Sequence, residues 1–429
     1  MAAIAPFRAL RYNLTAVRDL SLVVAPPYDV ITPPQREQLA ARSPHNIVHL
    51  ELPQDRPPLD RYAAARETFQ AWRRDGVLAQ DADPALYLYE HAFEWQGASH
   101  RRLGVVGALE LTDDSLAQML RHEATFEGPK ADRLKLLDAV QANLSPVFCV
   151  APDPSRRFAQ ALAAGRAAHA SDATATVGEG ETARVWVVRD PARIDAIRQA
   201  LAPATLLIAD GHHRFAVAVS RRAQFGTVMC YVAAMDDPAV VMRPIHRVVK
   251  IPEERRRDWR ATLERLCAFE PAASVPELMA WLDREDAQGR FGYYAHGRCW
   301  KASLREPVLH AWLLNPTTPM ALAGLDVTLL HHLLLPQAAG DAAQVDAGSG
   351  QSASGGNRLC DYTAEPADAA AMADRLGEAG CAWLLRPIPL AQVFALASQG
   401  VTVAHKTTFF HPKLLSGLFL HSVESAQYR

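Results

Sequence analysis

The sequence predicts an α/β fold with mixed sheets, because strand-like and helix-like segments alternate in two stretches of the chain. The first stretch spans residues 184–250 and the second spans residues 358–400. Nearer the N-terminus, residues 84–89 form an extended apolar run, and residues 60–75 carry apolar side chains at helical spacing. A chain of 429 residues is too long for one ordinary hydrophobic core, so we expect cooperating subdomains.

We divide the chain into three predicted α/β subdomains at the points where the pattern changes. They are an N-terminal subdomain at residues 1–120, a central core at residues 121–250 and a C-terminal subdomain at residues 251–429. A Gly- and Ser-rich stretch at residues 346–356 has no apolar periodicity and therefore predicts a mobile loop.

The central core has the most regular pattern of the chain. Its apolar runs predict strands, and the segments between them have helical periodicity, with a proline at the first helical position of one of them. The predicted elements are a strand at 184–190, a helix at 191–201, a strand at 205–210, a helix at 213–225 and a strand at 227–237.

Composition and charge argue against several kinds of partner and of structural site. The formal net charge of −2 offers no excess positive charge for nucleic acid or an anionic membrane, so we expect neither partner. The six cysteines lie far apart without a C-x-x-C pair, which argues against a disulfide framework and against a zinc ribbon. There is no secretory signal pattern and no apolar run of membrane-spanning length. We therefore expect a cytoplasmic protein; its oligomeric state does not follow from the sequence.

The run A-D-G-H-H-R at residues 209–214 is the segment richest in chemically active side chains. A strand leads directly into a predicted helix here, and the first N–H groups of a helix converge where an anion can bind. Gly211 leaves room for a phosphate to approach the backbone. Donors to phosphate oxygens are available from His212, His213 and Arg214. The run therefore predicts an anion-binding turn.

Asp210, at the end of the predicted strand, is compatible with three roles: it could hold a metal, orient a histidine or cap the helix. Two other interpretations of the run stay open. One is a capped helix whose histidines are packing groups. Burying adjacent charged groups at a helix start would, however, cost solvation free energy that ordinary core positions avoid. The other is a zinc site, which adjacent histidines seldom form because they point in different directions.

Three further segments bring charged side chains among apolar or turn residues. The run around the Gly-Pro turn at 128–129 carries acids, bases and a hydroxyl, although a solvated turn is the alternative. The strand-like M-R-P-I-H-R run is compatible with a pocket wall or with edge positions, and the C-terminal run at 406–413 with a lid or a docked strand. The candidate residues from these segments are Glu123, Thr125, Lys130, Arg133, Arg243, His246 and Lys413.

Two N-terminal runs, at residues 25–31 and 43–48, hold polar groups in apolar surroundings, and we expect one of them to line the site. His331 and His332 lie in a strongly apolar segment, where buried histidines are commoner than ligands, so we leave them out of the candidate site.

At A-D-G-H-H-R-F-A the sequence resembles the ParB/sulfiredoxin superfamily, and its D-G-H-H-R form resembles free-serine kinases. Nearly the whole chain also resembles a large, long-uncharacterised bacterial family that shares A-P-P-Y-D-V-I, S-P-H-N-I-V-H-L-E-L-P, A-D-G-H-H-R and M-R-P-I-H-R. Members are often encoded beside serine-biosynthesis genes. The resemblance implies a ParB/sulfiredoxin-like core at residues 121–250 and phosphoserine chemistry. Sulfiredoxin activity is disfavoured, because His212 stands where that chemistry needs a thiolate.

The resemblance implies roles for the candidate residues. The turn at 211–214 would bind the donor phosphate, and Glu123 would take the proton from the serine hydroxyl, with Asp210 as the second candidate. His213 is placed with these two as catalytic, and both carboxylates are candidate ligands of an expected Mg²⁺. Charge on the moving phosphoryl group would be stabilised by Lys130, Arg133 and Arg243. Contacts to substrate are assigned to Thr125, His246 and Lys413.

The phosphate donor is pyrophosphate, ADP or ATP, and we lean slightly toward pyrophosphate. Neither a P-loop nor a kinase Gly-rich loop occurs in the sequence, so the donor site follows neither common plan. The main rival hypothesis is a ParB-like nucleotide-binding regulator without acceptor chemistry. Another phosphate-ester enzyme, such as a phosphatase, and a structural role also stay open.

Overall fold

The computed structural model describes residues 4–123, 125, 127–178, 180–284, 288–314, 319–339, 359–403 and 406–423. The loop predicted at residues 346–356 lies outside these residues. The described chain forms two compact units. The first comprises the described residues of Met1–Arg121, Thr125–Val241 and Pro412–Arg429, and the second those of His122–Ala124 and Met242–His411. The three-part division at residues 120 and 250 stays a prediction.

Most apolar residues of the described strands are buried, whether they alternate with polar residues or form continuous runs. In chain order they are β1 (Ile4–Ala5), β2 (Leu10–Tyr12), β3 (Leu78–Gln80), β4 (Leu86–Trp95), β5 (Ala98–Glu110), β6 (Met119–Leu120), β7 (Ala142–Asn143), β8 (Val147–Ala151), β9 (Ala173–Val177), β10 (Glu181–Val188), β11 (Leu206–Asp210), β12 (Thr227–Ala234), β13 (Val241–Arg243), β14 (His246–Lys250), β15 (Cys267–Ala272), β16 (Arg290–Ala295), β17 (Arg298–Leu304), β18 (Cys360–Thr363), β19 (Gly380–Leu384), β20 (Phe409–His411) and β21 (His421–Ser422).

The described helices connect these strands. They are α1 (Leu14–Val17), α2 (Pro33–Arg42), α3 (Val48–Glu51), α4 (Arg61–Arg74), α5 (Asp113–Ala117), α6 (Glu127–Val140), α7 (Arg157–Arg166), α8 (Pro191–Leu201), α9 (His212–Ser220), α10 (Arg222–Phe225), α11 (Trp259–Leu266), α12 (Val275–Leu282), α13 (Glu306–Leu313), α14 (Met320–Ala323), α15 (Asp326–Leu329), α16 (Leu335–Ala339), α17 (Pro366–Arg375) and α18 (Leu390–Ser398). Short 3₁₀ turns at Leu20–Leu22, Tyr28–Val30, Glu253–Arg255 and Gly377–Ala379 and a π-helical segment at Leu330–Leu334 complete the described elements.

In the first unit, a large mixed sheet orders its described strands β6-β11-β8-β12-β5-β4-β10-β9, with β1 paired to β5. β8 runs parallel to β12, and β11 runs antiparallel to β8. Side chains from helices α7, α8 and α9, such as Phe158, Ile197 and Phe215, are buried against the sheet in one hydrophobic core. The predicted mixed α/β fold is therefore confirmed.

In the second unit, the described strands of the main sheet follow the order β15-β17-β16-β19-β14-β18 and pair antiparallel. Helices α12 and α17 pack on this sheet through Leu278, Leu282 and Ala373. Within the described residues, no helix is both long enough and apolar enough to cross a membrane.

Local signals explain why several elements fall where the sequence places them. Asp190 accepts hydrogen bonds from the backbone N–H groups of Ala192 and Arg193, so α8 begins at Pro191, as predicted. The predicted helix at 60–75 is α4, whose N-cap Asp60 accepts from the N–H of Ala63. These caps satisfy N–H groups that a helix start leaves unpaired within the helix.

Candidate functional site

The turn between β11 and α9 depends on Gly211. This glycine has φ +92°, a left-handed conformation that other residues adopt only with strain, and its carbonyl accepts the first helical hydrogen bond from the N–H of Phe215 at 2.9 Å. A Cβ atom built at Gly211 would lie 3.0 Å from Nη2 of Arg214. The turn therefore tolerates no side chain at this position without movement of the arginine.

Asp210 ends β11 and is held by two cations. Nη2 of Arg214 donates to its Oδ2 at 2.6 Å, and Nζ of Lys413 donates to its Oδ1. Arg214 also donates through Nη1 to the carbonyl of Pro146 at 2.6 Å. The three charged side chains are only 11–13% exposed, so one carboxylate lies between two cations in a largely dry environment.

The charge balance of this cluster fixes the ionisation of Asp210. Burial alone would raise the pKa of its carboxyl group, but the positive charges of Lys413 and Arg214 outweigh that effect and lower the pKa to about 2. Burial also opposes the charge of Arg214, yet the neighbouring carboxylate raises its pKa above the usual value. Asp210 and Arg214 are therefore both charged at neutral pH.

Arg133, on α6, belongs to a second cluster of the same unit. Its Nη1 donates to the carbonyl of Glu51 at 2.9 Å and lies 3.3 Å from the Glu51 carboxylate, and its Nη2 is 2.5 Å from Oδ2 of Asp132. The guanidinium carbon lies 4.1 Å from the ring centre of Tyr28. A cavity of about 50 Å³ is lined by Glu51, Arg133 and Arg214, so the two arginines adjoin one space.

The other predicted residues of the first unit lie on α6 and α9. His212 is buried and His213 is half-buried, both in the first turn of α9. Nζ of Lys130 lies 3.3 Å from Oε1 of Glu127, which precedes it by one turn on the exposed side of α6. Thr125 is half-buried and precedes α6.

The predicted residues of the second unit form their own contacts. Glu123 accepts a hydrogen bond from Oγ1 of Thr408 at 3.3 Å, and the same hydroxyl lies 2.8 Å from Nε2 of the buried His122. Arg243, at the end of β13, forms an ion pair with Glu365 at 2.6 Å. In the following strand, β14, burial and two nearby arginines lower the pKa of His246 to about 3.

Two contacts of Arg133 were not predicted as site residues. Tyr28 lies in the predicted run at residues 25–31, whereas Glu51 lies just beyond the predicted run at residues 43–48, so the first of these runs contributes a side chain to this region. A charged or phenolic group inside an otherwise apolar run was the available signal. The partner of both residues, Arg133, lies 82 residues from Glu51 and further still from Tyr28, so these pairings could not be predicted from the sequence.

The described residues contain no cluster of three or more histidines, cysteines and carboxylates suited to a metal ion. Both oxygens of Asp210 already accept hydrogen bonds from cations. Mg²⁺ needs few protein ligands, because it keeps several waters and binds substrate phosphates. The Mg²⁺ site therefore stays a prediction, and Glu123 is the better candidate ligand of the two carboxylates.

Replacing Gly211 with alanine should lower the free energy of unfolding by about 1–3 kcal/mol, because it adds left-handed strain and a contact with Arg214. Gly226 is a matched control: its φ of +71° is similar, but a Cβ there meets nothing within 4 Å. Urea denaturation of both variants separates the two effects. Equal losses in the two variants would show that the Arg214 contact is unimportant.

Comparisons with known proteins were made on the sequence and on the fold. A family model described as "Protein of unknown function (DUF1015)" matches residues 4–328. No curated protein matches the sequence.

Among solved structures, the fold is similar to that of a conserved hypothetical protein from Pyrococcus furiosus, with 12% identity, a TM-score of 0.32, and coverage of 72% of this chain and 93% of that one. C-terminally truncated SbnI from Staphylococcus aureus has 10% identity, a TM-score of 0.36, and coverage of 72% and 85%. A free serine kinase in complex with AMP has 12% identity, a TM-score of 0.35, and coverage of 71% and 86%. These similarities are too low to support a function.

Proposed function

The chain belongs to the DUF1015 family, and we propose that it is a phosphotransferase that phosphorylates the hydroxyl of free L-serine. The observation that carries this proposal is the pair of largely buried cations, Lys413 and Arg214, beside a side-chain-free turn at the start of α9. The choice of serine rests on the D-G-H-H-R motif of the sequence, which resembles that of free-serine kinases.

The turn has the features that a phosphate group requires. The first N–H groups of α9 have no acceptors within the helix, and the helix dipole favours negative charge at this end. Gly211 presents no side chain there, and the cations Lys413 and Arg214 both pair with Asp210 beside it. A phosphate of pyrophosphate or of a nucleotide would interact favourably with these two cations. His212 and His213 are proposed donors to its oxygens.

The proposed reaction forms one bond and breaks one bond. The serine oxygen attacks the terminal phosphorus of the donor, and the bond from that phosphorus to the bridging oxygen breaks. The products are O-phospho-L-serine and the donor shortened by one phosphoryl group, and the hydroxyl proton passes to a base. Such transfers depend mainly on positioning and charge stabilisation, for which Lys130, Arg133 and Arg243 are proposed.

The two carboxylates differ in their fitness as that base. A base must accept a proton near neutral pH, but the pKa of Asp210 is about 2 because two cations face it. Asp210 is therefore better suited to fixing Arg214 and Lys413. Glu123 is the proposed base, and its carboxylate is positioned by the hydroxyl of Thr408.

The remaining proposed roles follow the same chemistry. Thr125, His246 and Lys413 are proposed to contact the substrates, and Mg²⁺, if held with the donor phosphates, would supply positive charge that neutralises them. Pyrophosphate, ADP and ATP stay alternative donors.

Phosphorus NMR of the purified protein with L-serine, Mg²⁺ and either pyrophosphate, ADP or ATP tests the proposal. We expect the O-phosphoserine resonance with one of the donors. Glu123→Gln and His213→Ala should each reduce the rate at least a hundredfold with the fold intact, whereas His169→Ala, at an exposed histidine, should not. Nucleotide binding without phosphoserine would instead favour a ParB-like regulator, and full activity in both variants would rule out this site.

A further inference from the structure

Glu90 is a buried carboxylate in β4 of the first unit, and three arginines surround it. Its side chain is only 2% exposed. Nη1 of Arg166, at the end of α7, donates to its Oε2 at 2.6 Å, and Nη1 of Arg184, in β10, donates to its Oε1 at 3.2 Å. Nη1 of Arg101, in β5, lies 3.9 Å from the same Oε1. Three guanidinium groups from three different elements therefore share one carboxylate.

The side chains of Arg101, Arg166 and Arg184, which we call the arginine patch, are open to solvent. They are 62%, 40% and 33% exposed, respectively, so a dissolved ligand can reach each of them. Glu90 occupies one nitrogen of each arginine, and a guanidinium group carries further N–H donors beyond that one. Within the described part of the chain, no second carboxylate lies within ion-pair distance of any of the three arginines.

The pairing of the strands arranges the arginine patch around a short side chain. Arg184 stands directly opposite Glu90, and two residues further along the same two strands Thr182 stands opposite Ala92. Arg101, in β5, also stands directly opposite Ala92. Directly paired residues share a face of a sheet, as do residues two positions apart in a strand, so all five lie on one face. Ala92 is half-buried, and the surface between Arg101 and Arg184 therefore carries no long side chain there.

The number of arginines exceeds what the burial of Glu90 requires. One well-placed cation compensates one buried carboxylate, and Arg166 already forms the shortest contact. The other two arginines bring like charges to the same place, and these repel one another unless an anion lies between them. Phosphate oxygens suit the planar guanidinium group, which binds them through parallel hydrogen bonds. Because Glu90 holds Arg166 and Arg184 in place before a ligand arrives, less side-chain freedom is lost on binding.

We propose that the arginine patch binds a compound with two linked phosphate groups, either inorganic pyrophosphate or a nucleoside diphosphate. A diphosphate has a pair of terminal oxygens for each of the three guanidinium groups, whereas a single phosphate does not. Thr182, which is half-buried on the same face, can donate a further hydrogen bond from its hydroxyl group. The ligand would lie over Ala92, between Arg101 and Arg184.

The arginine patch is separate from the turn at the start of α9. In the sheet order, β8, β12 and β5 lie between β11 and β4, which separates the two regions by about 19 Å across the strands. Binding at the patch therefore does not depend on the proposed phosphotransfer. Because pyrophosphate and ADP are also candidate donors at the α9 turn, the experiment has to show where each ligand binds.

Hydrogen exchange of the full chain with pyrophosphate, ADP or orthophosphate, at constant ionic strength, locates the binding. We expect pyrophosphate or ADP to slow exchange in peptides that cover residues 157–170 and 181–188, at concentrations about tenfold lower than orthophosphate. The more effective of the two shows whether the ligand is free or part of a nucleotide. Slowing confined to residues 206–220, or equal potency of orthophosphate, would overturn the proposal. Slowing at the patch without phosphoserine formation would support it and contradict the proposed function.

Variants distinguish a defined site from general attraction between charges. Arg101→Gln removes the most exposed arginine of the patch, so the fold should be kept, and the diphosphate should bind about tenfold more weakly. Arg222→Gln removes the same charge from an exposed arginine that pairs with Asp113, beyond the opposite end of β5, and should leave binding unchanged. Ala92→Leu keeps the charge but fills the surface between the arginines, and should also weaken binding. Equal binding in the Arg101→Gln and Arg222→Gln variants would overturn the proposal.

Discussion

Replacing Asp210 with alanine is expected to lower the free energy of unfolding of the first unit by about 3–5 kcal/mol. The substitution removes the carboxylate that faces Lys413 and Arg214, and it leaves both cations in a site that is nearly nine-tenths buried. The expected loss comes mainly from these uncompensated charges. Hydrogen exchange of peptides that cover residues 206–220, followed as urea is raised, measures the change in this unit.

Two controls distinguish this cause from a general effect of losing an ion pair. Asp138 pairs with Arg221 through two hydrogen bonds but is well exposed, so Asp138→Ala should cost less than about 1 kcal/mol. Adding Lys413→Met to Asp210→Ala should recover part of the loss, because it removes one of the two buried cations that had faced the carboxylate. A loss in Asp210→Ala as small as that in Asp138→Ala would contradict the assigned electrostatics.

The local order of strands and helices could be predicted where short-range signals are strong. The helix at Pro191–Leu201 has a capping aspartate, a proline at its first position and a regular apolar face, and all three lie within a dozen residues. The strand and helix on either side of Gly211 were predicted for the same reason, since a glycine between an apolar strand and an apolar helix marks a turn.

Partners that are distant in the chain could not be predicted from these signals. Lys413 is predicted as a substrate contact, but no short-range pattern indicates that it pairs with Asp210, 203 residues away. Arg247 was overlooked beside Arg243, because alternating charged residues in a strand do not reveal which side chain lies in the core. Its contact with His331 joins two segments that lie 84 residues apart in the chain.

The buried histidines of the second unit lead to the other large expected effect. The stability of this unit should fall by about 4 kcal/mol between pH 8 and pH 5, about 2 kcal/mol for each of His246 and His331. Burial and the neighbouring arginines lower both pKa values from 6.5 to about 3. Between these limits the unfolded chain binds protons that the folded unit does not, so acid favours unfolding.

Replacing either histidine with glutamine should reduce by about one the number of protons that the unit takes up on unfolding. The local hydrogen bonds should be kept. The glutamine oxygen can accept from Leu385 N–H in place of Nδ1 of His246, or from Nε of Arg247 in place of His331. His310→Gln, at an exposed histidine of the same unit, should leave the slope unchanged. Urea midpoints of the second unit between pH 5 and pH 8 provide the slope for each variant. If the slope were the same in all of them, the acid sensitivity would have to come from other groups, such as His332, whose pKa burial also lowers, or carboxylates that are protonated in a more acidic range.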